Sequence, residues 1–361
     1  MKKIMFYIDS LTYGGAERVM ANLSNQFVEA DYNVVFVTSW NVEKEYVLSP
    51  KIQRYSLEKS RMKYTKIYKN IKRIFQLRSI VKKEKPDVLI SFLGTPNFRA
   101  ILSCLGLKTK NIVSVRNDPN QEYGSFFSNL AQKMLFPHAD GIVFQTKDAK
   151  NWFPSKIQEK SKIIFNQVDL KFFNTEKKDE KYYVAIGRLE SQKNQKLLIE
   201  AFTEFAKKYP DEKLYIYGDG DLKEELHAQI ESNHAENHIF LMGTTNNVPE
   251  VLSYAKAYVM TSDYEGMPNT VLESMSVGVP VICTDCPCGG PRMVIQSGEN
   301  GLLFPVNDKN ALLTCLDKIQ SDKDFREKIG KNAKCSANAF KPDVVFEEWK
   351  RFTDLIIGVA Q

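Results

Sequence analysis

Short apolar strands alternate with helix-patterned segments along the whole sequence, and this alternation constrains the fold more than any other feature. The first half contains the runs KIMFYID, YNVVFVTS, PDVLISFLG, KNIVSVRND and ADGIVFQT, and the second half contains KYYVAIGRL, KLYIYGDGD, HIFLMGTT, AYVMTS and VPVICTD. Amphipathic segments such as RVMANLSNQFVEA separate several of these runs. Strands that alternate with helices are typical of parallel βαβ units. We therefore predict an α/β fold with two doubly wound parallel-sheet, Rossmann-like domains that face a cleft.

The boundary between the two halves is expected near residues 165–180, because the polar segment NTEKKDEK (Asn174–Lys181) is the best linker candidate. A chain of 361 residues is long enough for two domains. We predict a first domain over residues 1–165, a second over residues 166–340, and a C-terminal helix over residues 341–361 that packs back on the first domain.

Charge is distributed unevenly between the halves. Residues 1–165 carry 27 Lys and Arg against 14 Asp and Glu, whereas residues 166–361 carry 23 against 30, which indicates different partners for each half. No apolar run reaches the ~18 residues that a membrane-spanning helix needs, and MKKIMFYIDS is expected to be a buried strand rather than a signal peptide. The six cysteines lack the spacing of a disulfide framework, which favours a reducing compartment.

The stretch YEGMPNTVLES places two glutamates, Glu265 and Glu273, on either side of a turn that enters a helix. Pro268 favours the first helical turn, so the backbone N–H groups of residues 269–271 would face an anion such as phosphate. The two carboxylates would accept hydrogen bonds from hydroxyl groups. This pattern suits a ligand with a central diphosphate and a sugar at each end. The alternative is an acidic residue that favours the helix dipole, plus a chance surface glutamate.

The stretch GRLESQKN follows the strand YYVAI and therefore lies at a carboxyl strand end, where ligands bind in such sheets. Arg188 and Lys193 would both reach a diphosphate as charge-assisted donors. The alternative is two solvated surface cations.

With these motifs together, the sequence resembles the retaining glycosyltransferases of family 4, which have the GT-B fold. The resemblance covers nearly the whole chain and rests on GGAER, NQVD, GRLESQKN, YGDGD, EGMPNTVLES and VGVPVICTD. The E-x7-E spacing together with GRLxxxK is its most specific part. In detail the chain is similar to bacterial enzymes that build capsule, O-antigen or lipid-linked glycans.

The resemblance implies retaining transfer of a hexose or N-acetylhexosamine from a UDP-sugar to a glycan acceptor, linked to a polyprenyl diphosphate, in surface polysaccharide biosynthesis. The first domain would bind the acceptor and the second the nucleotide-sugar donor. The leaving phosphate would take the acceptor proton on the same face, helped by electrostatic stabilisation of the diphosphate. No cofactor and no metal ion is implied.

The resemblance also assigns residues. Glu265 would contact the donor hexose, Glu273 the ribose, and Arg188 and Lys193 the diphosphate. The implied catalytic set is Glu265, Arg188, Lys193, Arg116 and Asn117, and the implied donor-binding set is Gly14, Gly15, Gly187, Met242, Gly243, Gly266, Met267, Pro268, Asn269, Thr270, Val271 and Glu273.

Two positions depart from the family pattern. Many members carry a first-domain histidine near the reacting centre, but His138 precedes a strand here, and SVRNDP instead offers Arg116, Asn117 and Asp118 at a carboxyl strand end. Met293 stands where members often have a glutamate.

Two other motifs are compatible with metal binding. The pair Asp219 and Asp221 forms a DxD in a glycine turn, where we favour Asp221 as the cap of a helix that begins at Leu222. The cluster CTDCPC has three cysteines, but a zinc site needs four ligands, and buried or loop thiols are favoured.

Residues 51–85 hold 13 Lys and Arg and only two acids, with Tyr64, Ile67, Tyr68, Ile71, Ile74 and Phe75 at helical spacing. Two interpretations stay open: a basic amphipathic helix on an anionic membrane, or a helix that covers the sheet with its lysines solvated. Nucleic acid is a poorer partner, since no nucleic-acid-binding motif is found. We expect a cytoplasmic protein at the inner face of the cell membrane.

Other activities remain as alternatives. A nucleotide-sugar epimerase or a phosphorylase-like enzyme would use the same fold, and a non-catalytic nucleotide-sugar-binding protein would keep the pocket without turnover. A dehydrogenase is disfavoured, because GxGxxG is absent after both opening strands.

Overall fold

The computed structural model describes residues 2–12, 14–58 and 65–358. The chain divides into two compact units. The first combines Met1–Asn166 with Asp343–Gln361, and the second is Gln167–Pro342. The chain therefore returns to the first unit with its last helix. Tyr64, which the sequence placed on an apolar helix face, lies outside the described residues.

The first unit is built on a seven-stranded sheet in the order β3-β2-β1-β4-β5-β6-β7. All of its strand pairs are parallel. Its strands are β1 (Lys3–Ile8), β2 (Asn33–Trp40), β3 (Gln53–Glu58), β4 (Val88–Phe92), β5 (Lys110–Ser114), β6 (Gly141–Phe144) and β7 (Ser161–Ile163). Its helices are α1 (Gly15–Glu29), α2 (Lys66–Glu84), α3 (Gly94–Cys104), α4 (Pro119–Tyr123), α5 (Phe126–Leu135), α6 (Lys147–Asn151), α7 (Ser155–Gln158) and α16 (Pro342–Ile356).

The two faces of this sheet bury separate clusters. Ile4 and Phe6 of β1 pack with α1 and α16, whereas Met5 and Tyr7 pack with α2 and α3, as the alternation of side chains along a strand requires. The connections from β3 to β4, β4 to β5 and β5 to β6 all run in one direction across the sheet. Right-handed crossovers therefore place α2, α3 and α5 in one layer.

The second unit has a six-stranded parallel sheet in the order β10-β9-β8-β11-β12-β13. Its strands are β8 (Tyr182–Ile186), β9 (Leu214–Tyr217), β10 (Ile239–Gly243), β11 (Ala255–Met260), β12 (Val281–Thr284) and β13 (Leu302–Phe304). Its helices are α8 (Leu170–Phe173), α9 (Gln195–Lys208), α10 (Lys223–Ser232), α11 (Val248–Ser253), α12 (Asn269–Val277), α13 (Gly290–Val294), α14 (Lys309–Ser321) and α15 (Lys323–Ser336).

The predicted fold class is confirmed: each unit is a parallel sheet covered by helices. Strands such as β4 are buried along their whole length, which explains their near-continuous apolar sequences. The strand order reverses between β1 and β4 in the first unit and between β8 and β11 in the second. Ligands of open parallel sheets bind outside the carboxyl ends of the strands at such switch points, so the loops after these four strands define the candidate sites.

Among the described residues, no helix combines the length and apolarity that crossing a bilayer requires.

Candidate active site

The loops after β8 and β11 meet at the switch point of the second sheet. The amide of Asp263 donates to the carbonyl of Gln192 at 2.9 Å, and the Gln192 side chain donates to the Tyr264 carbonyl at 2.9 Å. Thr261 Oγ1 donates to the carbonyl of Lys193 at 3.0 Å. These bonds fix GRLESQKN against the start of the YEGMPNTVLES stretch, so the two motifs form one site.

An ion pair lies at the centre of this site. The ammonium group of Lys193 donates to Glu265 Oε1, and the Ser262 hydroxyl donates to the same oxygen at 2.8 Å. Glu265 is only 7% exposed. The stem of Lys193 passes over Gly187, whose missing Cβ would lie 3.6 Å from Lys193 Cε. The carboxylate is thus oriented by two donors, one of them charged.

The backbone around Glu265 is held equally firmly. Its N–H donates to the Pro287 carbonyl at 2.7 Å, and its carbonyl accepts from the Cys288 N–H at 3.1 Å. A Cβ on Gly290 would lie 1.7 Å from the carbonyl oxygen of Gly266. Only glycine therefore permits the approach of α13 to the turn that carries Glu265.

The helix after this turn begins one residue later than the sequence indicates. Pro268 occupies the N-cap position of α12 and not its first turn, and the amide of Val271 donates to the Pro268 carbonyl at 3.2 Å. The prediction that residues 269–271 all offer free amides is therefore wrong for Val271, because the tight first turn uses its N–H. Asn269 and Thr270 lie in that first turn. Met267 is buried just before it.

Glu273 lies one turn into α12 and is buried. The phenol of Tyr258 hydrogen bonds with Thr270 Oγ1 at 2.7 Å. Burial raises the pKa of this phenol well above its ordinary value, and the nearby Cys283, Glu265 and Glu273 raise it further. The negative charges of Glu265 and Glu273 thus both disfavour ionisation of the same buried phenol.

Three other candidates of the second unit lie outside this cluster. The Arg188 side chain is 67% exposed and pairs with Glu190 at 2.8 Å, whereas Glu265 pairs with Lys193. Met242 and Gly243 end β10, which is two strands from β8 in the sheet. Met242 is exposed and Gly243 has a φ of +70°. They lie at the same carboxyl edge of the sheet as the ion pair.

The glycine turn GDGD, residues 218–221, packs closely against the backbone of residues 187 and 189. A Cβ on Gly218 would lie 1.9 Å from the Gly187 carbonyl oxygen, and one on Gly220 would lie 2.5 Å from that of Leu189. The expected cap at Asp221 is wrong: α10 begins at Lys223, and Leu222 occupies the N-cap position without a side-chain hydrogen bond. Within the described parts of the chain, no three His, Cys, Asp or Glu side chains are grouped to hold a metal ion.

The three cysteines of CTDCPC are buried. Burial raises the pKa of the Cys286 thiol to about 12. A thiol that stays protonated at neutral pH is not in the nucleophilic thiolate form.

Arg116, in the first unit, is a buried cation at the carboxyl end of β5. Its guanidinium donates to Asn166 Oδ1 at 2.5 Å and lies 4.3 Å from the centre of the Phe92 ring. Burial lowers its pKa to about 9. Asn117 is half-buried beside it. Asp118 caps α4 by accepting from the Asn120 amide at 3.0 Å, so it has a structural use that the sequence analysis did not assign.

Gly14 and Gly15 form the start of α1. Gly14 is the N-cap residue in an extended conformation, and Gly15 is the first helical residue. The carboxylate of Glu17 lies against Gly14, since a Cβ there would be 2.1 Å from Glu17 Oε2. A side chain at position 14 would therefore displace a carboxylate from the helix start.

A polar network that was not predicted from the sequence lies at the switch point of the first sheet. Arg99 Nη1 donates to Asp9 Oδ1 at 2.5 Å and to Ser39 Oγ at 2.9 Å, and Ser39 donates to Asp9 at 2.6 Å. These residues come from α3, β1–α1 and β2, so no local motif joins them. The only sequence signal is the polar residue after the first strand.

A second missed group surrounds the turn from β4 to α3. Leu93 has a φ of +74°, a conformation that costs energy for a residue with a side chain. The next amide, of Gly94, donates to Glu122 Oε1 at 2.5 Å. Burial raises the pKa of the Glu122 carboxyl to about 7. His138 is exposed ahead of β6, away from this edge of the sheet.

Within the basic segment, the helix α2 has two distinct halves. Ile67, Tyr68, Ile71 and Phe75, in the N-terminal half of α2, are exposed, whereas Leu77 and Val81 join the core. The interpretation in which the apolar face merely covers the sheet therefore holds only for the C-terminal half.

Comparisons with known proteins identify the family of the chain. The family model described as Glycosyltransferase Family 4 matches residues 13–172, and the one described as Glycosyl transferases group 1 matches residues 166–335. The GalNAc-α-(1→4)-GalNAc-α-(1→3)-diNAcBac-PP-undecaprenol α-1,4-N-acetyl-D-galactosaminyltransferase of Campylobacter jejuni is 29% identical over 355 residues, which are 97% of each chain.

Two further proteins cover almost the whole chain. The N-acetylgalactosamine-N,N'-diacetylbacillosaminyl-diphospho-undecaprenol 4-α-N-acetylgalactosaminyltransferase of C. jejuni is 30% identical over 359 residues, 94% of this chain and 96% of that enzyme. The crystal structure of Anabaena HepE in complex with UDP and glucose has a TM-score of 0.81 at 15% identity and covers 98% of this chain and 100% of its own. The chain therefore belongs to the family 4 glycosyltransferases and has their GT-B fold.

Proposed function

We propose that this enzyme transfers a hexose or N-acetylhexosamine from a UDP-sugar to a glycan acceptor, with retention of the anomeric configuration. The acceptor is a glycan on a polyprenyl diphosphate, and the pathway is bacterial surface polysaccharide biosynthesis. Both Campylobacter relatives are named for N-acetylgalactosamine transfer to glycans on a diphospho-undecaprenol. HepE was crystallised with UDP and glucose. These names support the donor and acceptor classes.

The observation that carries the proposal is the Lys193–Glu265 pair beside the start of α12. Lys193 supplies a positive charge for the diphosphate, and the first turn of α12 adds the positive end of a helix dipole. Glu265 accepts hydrogen bonds from the donor hexose, and Glu273, deeper in α12, accepts them from the ribose. One site thus provides for both sugars and for the charge between them.

The reaction breaks the bond between the sugar C1 and the phosphate oxygen and forms a bond from C1 to the acceptor oxygen on the same face. The acceptor hydroxyl proton moves to the departing phosphate, and UDP leaves. Negative charge grows on the diphosphate as the bond breaks, so fixed positive charge at Lys193 stabilises the transition state more than the bound donor. No metal ion takes part in the proposed reaction.

Arg116 and Asn117 remain the proposed contributors from the first unit. Arg116 is a buried cation whose guanidinium donates to the neutral side chains of Asn166 and Ser114. Such a group favours an anionic ligand, because burial without a counter-charge is costly. Gly14 and Gly15 would approach the donor phosphate through the start of α1.

The proposed location is the inner face of the cell membrane. The exposed apolar residues of α2 alternate with lysines such as Lys69 and Lys72. Anionic lipids attract such a helix electrostatically, and the apolar side chains then enter the interface. This contact would hold the enzyme near a lipid-linked acceptor.

Transfer assays with UDP-sugars and polyprenyl-diphosphate-linked glycans test the proposal. The expected product carries one added sugar with the donor's anomeric configuration, as determined by NMR. Release of free sugar or an epimerised nucleotide sugar without acceptor would favour the epimerase or phosphorylase-like alternative.

A further inference from the structure

The helix α5 turns its apolar side to solvent. Phe126 is 76% exposed, Phe127 81%, Leu130 47% and Met134 63%, whereas Gln132 is the residue of this helix that is buried. Ordinary surface helices show the opposite arrangement, with the apolar stripe toward the core. Isolated exposed apolar residues need no explanation, but a contiguous exposed apolar face marks an interaction site.

A helix cap and an aromatic contact define the start of this face. Ser125 caps α5 by accepting from the Ser128 amide at 3.3 Å. The rings of Phe126 and Phe127 meet edge to face, 5.6 Å between centroids. The two aromatic rings therefore project from a capped first turn rather than from a frayed end.

The helix α2, which also exposes apolar side chains, lies in the same layer of the first unit as α5. Fourteen large apolar side chains are exposed in the described parts of the chain, and eight of them lie on α2 and α5. Both helices contact α3. Apolar exposure is thus concentrated in one helical layer, not spread over the surface.

We propose that α5 is a second membrane-inserting element, whose four exposed apolar side chains enter the interfacial region of a phospholipid bilayer that α2, in the same helical layer, also contacts. Charge favours lipid over a protein partner. α5 carries Lys133 and no acidic residue, and α2 carries Lys and Arg at seven positions against one acid. An anionic bilayer complements this layer, and aromatic rings are favoured at its interface.

The two helices should contribute to membrane binding in different ways, because their compositions differ. Lysines of α2 supply long-range attraction that salt screens. Burial of the apolar face of α5 in lipid adds a hydrophobic contribution to the binding free energy, and salt does not screen this contribution. The inference rests on the proposed function only in that a lipid-linked acceptor gives membrane contact a use.

Flotation with vesicles made of equal parts phosphatidylcholine and phosphatidylglycerol tests the inference on the full chain. The double variant Phe126→Ser/Phe127→Ser should partition about tenfold or more weakly than the wild type at both low and high salt. Lys69→Gln/Lys72→Gln should lose binding mainly at low salt. The control Val344→Ser/Leu355→Ser, which replaces exposed apolar residues of α16 in the opposite layer, should bind like the wild type.

Equal flotation of the Phe126→Ser/Phe127→Ser variant and the wild type would overturn the proposal. So would a concentration-dependent dimer that this variant abolishes, because a second copy of the chain would then cover α5. If the double variant is destabilised, Phe127→Trp replaces it. Stronger quenching by brominated lipids than in the wild type, which has three tryptophans of its own, supports insertion, and equal quenching of the two proteins contradicts it.

Failure of the membrane proposal can be distinguished from failure of the proposed reaction. Transfer to a water-soluble acceptor with a short lipid chain should be unchanged in the Phe126→Ser/Phe127→Ser variant. Vesicle binding through α5 without any transfer by the wild type would refute the proposed reaction and leave the membrane role intact.

Discussion

Lys193 and Glu265 form a largely buried ion pair that joins the loops after β8 and β11, across the switch point of the second sheet. The Ser262 hydroxyl donates to the carboxylate of Glu265, and the backbone of residues 287 and 288 holds the backbone of Glu265 in place. Each charge compensates the other, so the removal of one leaves the other buried and unpaired. The pair is therefore both a structural link between two loops and the proposed centre of donor binding.

The substitution Glu265→Ala should reduce kcat for transfer by about 10²–10³-fold or more, the range found when one preorganised stabilising group is removed. Circular dichroism should show that the fold persists. Glu250→Ala is the matched control, because Glu250 forms an exposed salt bridge with Lys178. Near-normal turnover of Glu265→Ala would remove Glu265 from the site.

The substitution Lys193→Ala should weaken the binding of UDP itself by about 1.5–3 kcal/mol, the value of a charge-assisted hydrogen bond. Isothermal titration calorimetry measures this directly. Lys196→Ala is the control, since Lys196 lies nearby on α9 but pairs with the exposed Glu225. Equal UDP affinities in the Lys193→Ala variant and the wild type would contradict the assigned role.

The substitution Gly290→Ala should destabilise the second unit by about 1–3 kcal/mol, because the new Cβ has no room beside the Gly266 carbonyl. Gly187→Ala should unfold like the wild type, since its Cβ would make only ordinary contact with Lys193. Urea denaturation compares the two. If both variants have wild-type stability, α13 does not pack against the Glu265 turn as described.

Glu122 should make stability depend on pH. Burial raises the pKa of its carboxyl from 4.5 to about 7, so the unfolded chain releases this proton at lower pH than the folded chain. Stability should therefore fall as pH rises from about 4.5 to about 7, by about 3 kcal/mol. In thermal melts, the Glu122→Gln variant should lack this fall in stability with pH. The Glu159→Gln variant, changed at an exposed site of the same unit, should retain it.

Removal of divalent cations should leave transfer intact. EDTA-treated enzyme is expected to keep its rate, because Lys193 and the start of α12 supply the positive charge for the diphosphate. Loss of activity that manganese restores would show that the Asp219–Asp221 pair, or another carboxylate set, holds a catalytic metal ion.

Much of the second unit could be predicted from its sequence, because its site is built from local motifs. GRLESQKN and YEGMPNTVLES each follow a strand, and parallel strands bring their carboxyl ends to one edge. Their ion pair was not predicted, because the sequence does not show that Lys193 and Glu265, 72 residues apart, meet. The start of α12 was misplaced by one residue, since proline fits both the N-cap and the first turn.

The first unit was less predictable for a different reason. Its network of Asp9, Ser39 and Arg99 joins three elements that only the sheet order brings together. The strand β3 was missed within the basic stretch, because QRYSLE has few apolar residues and forms an edge of the sheet. The outward apolar face of α5 was also missed, because periodicity shows that a helix has an apolar side but not which way that side faces.

The most direct test of the donor site is a thermal-shift comparison of UDP, GDP, ADP and their common sugar conjugates on the wild type and on Lys193→Ala. We expect UDP and one UDP-sugar to stabilise the wild type, with a much smaller shift for the variant. Stabilisation by none of these nucleotides, or equal stabilisation of both proteins by UDP, would contradict a uridine-nucleotide site at the Lys193–Glu265 pair.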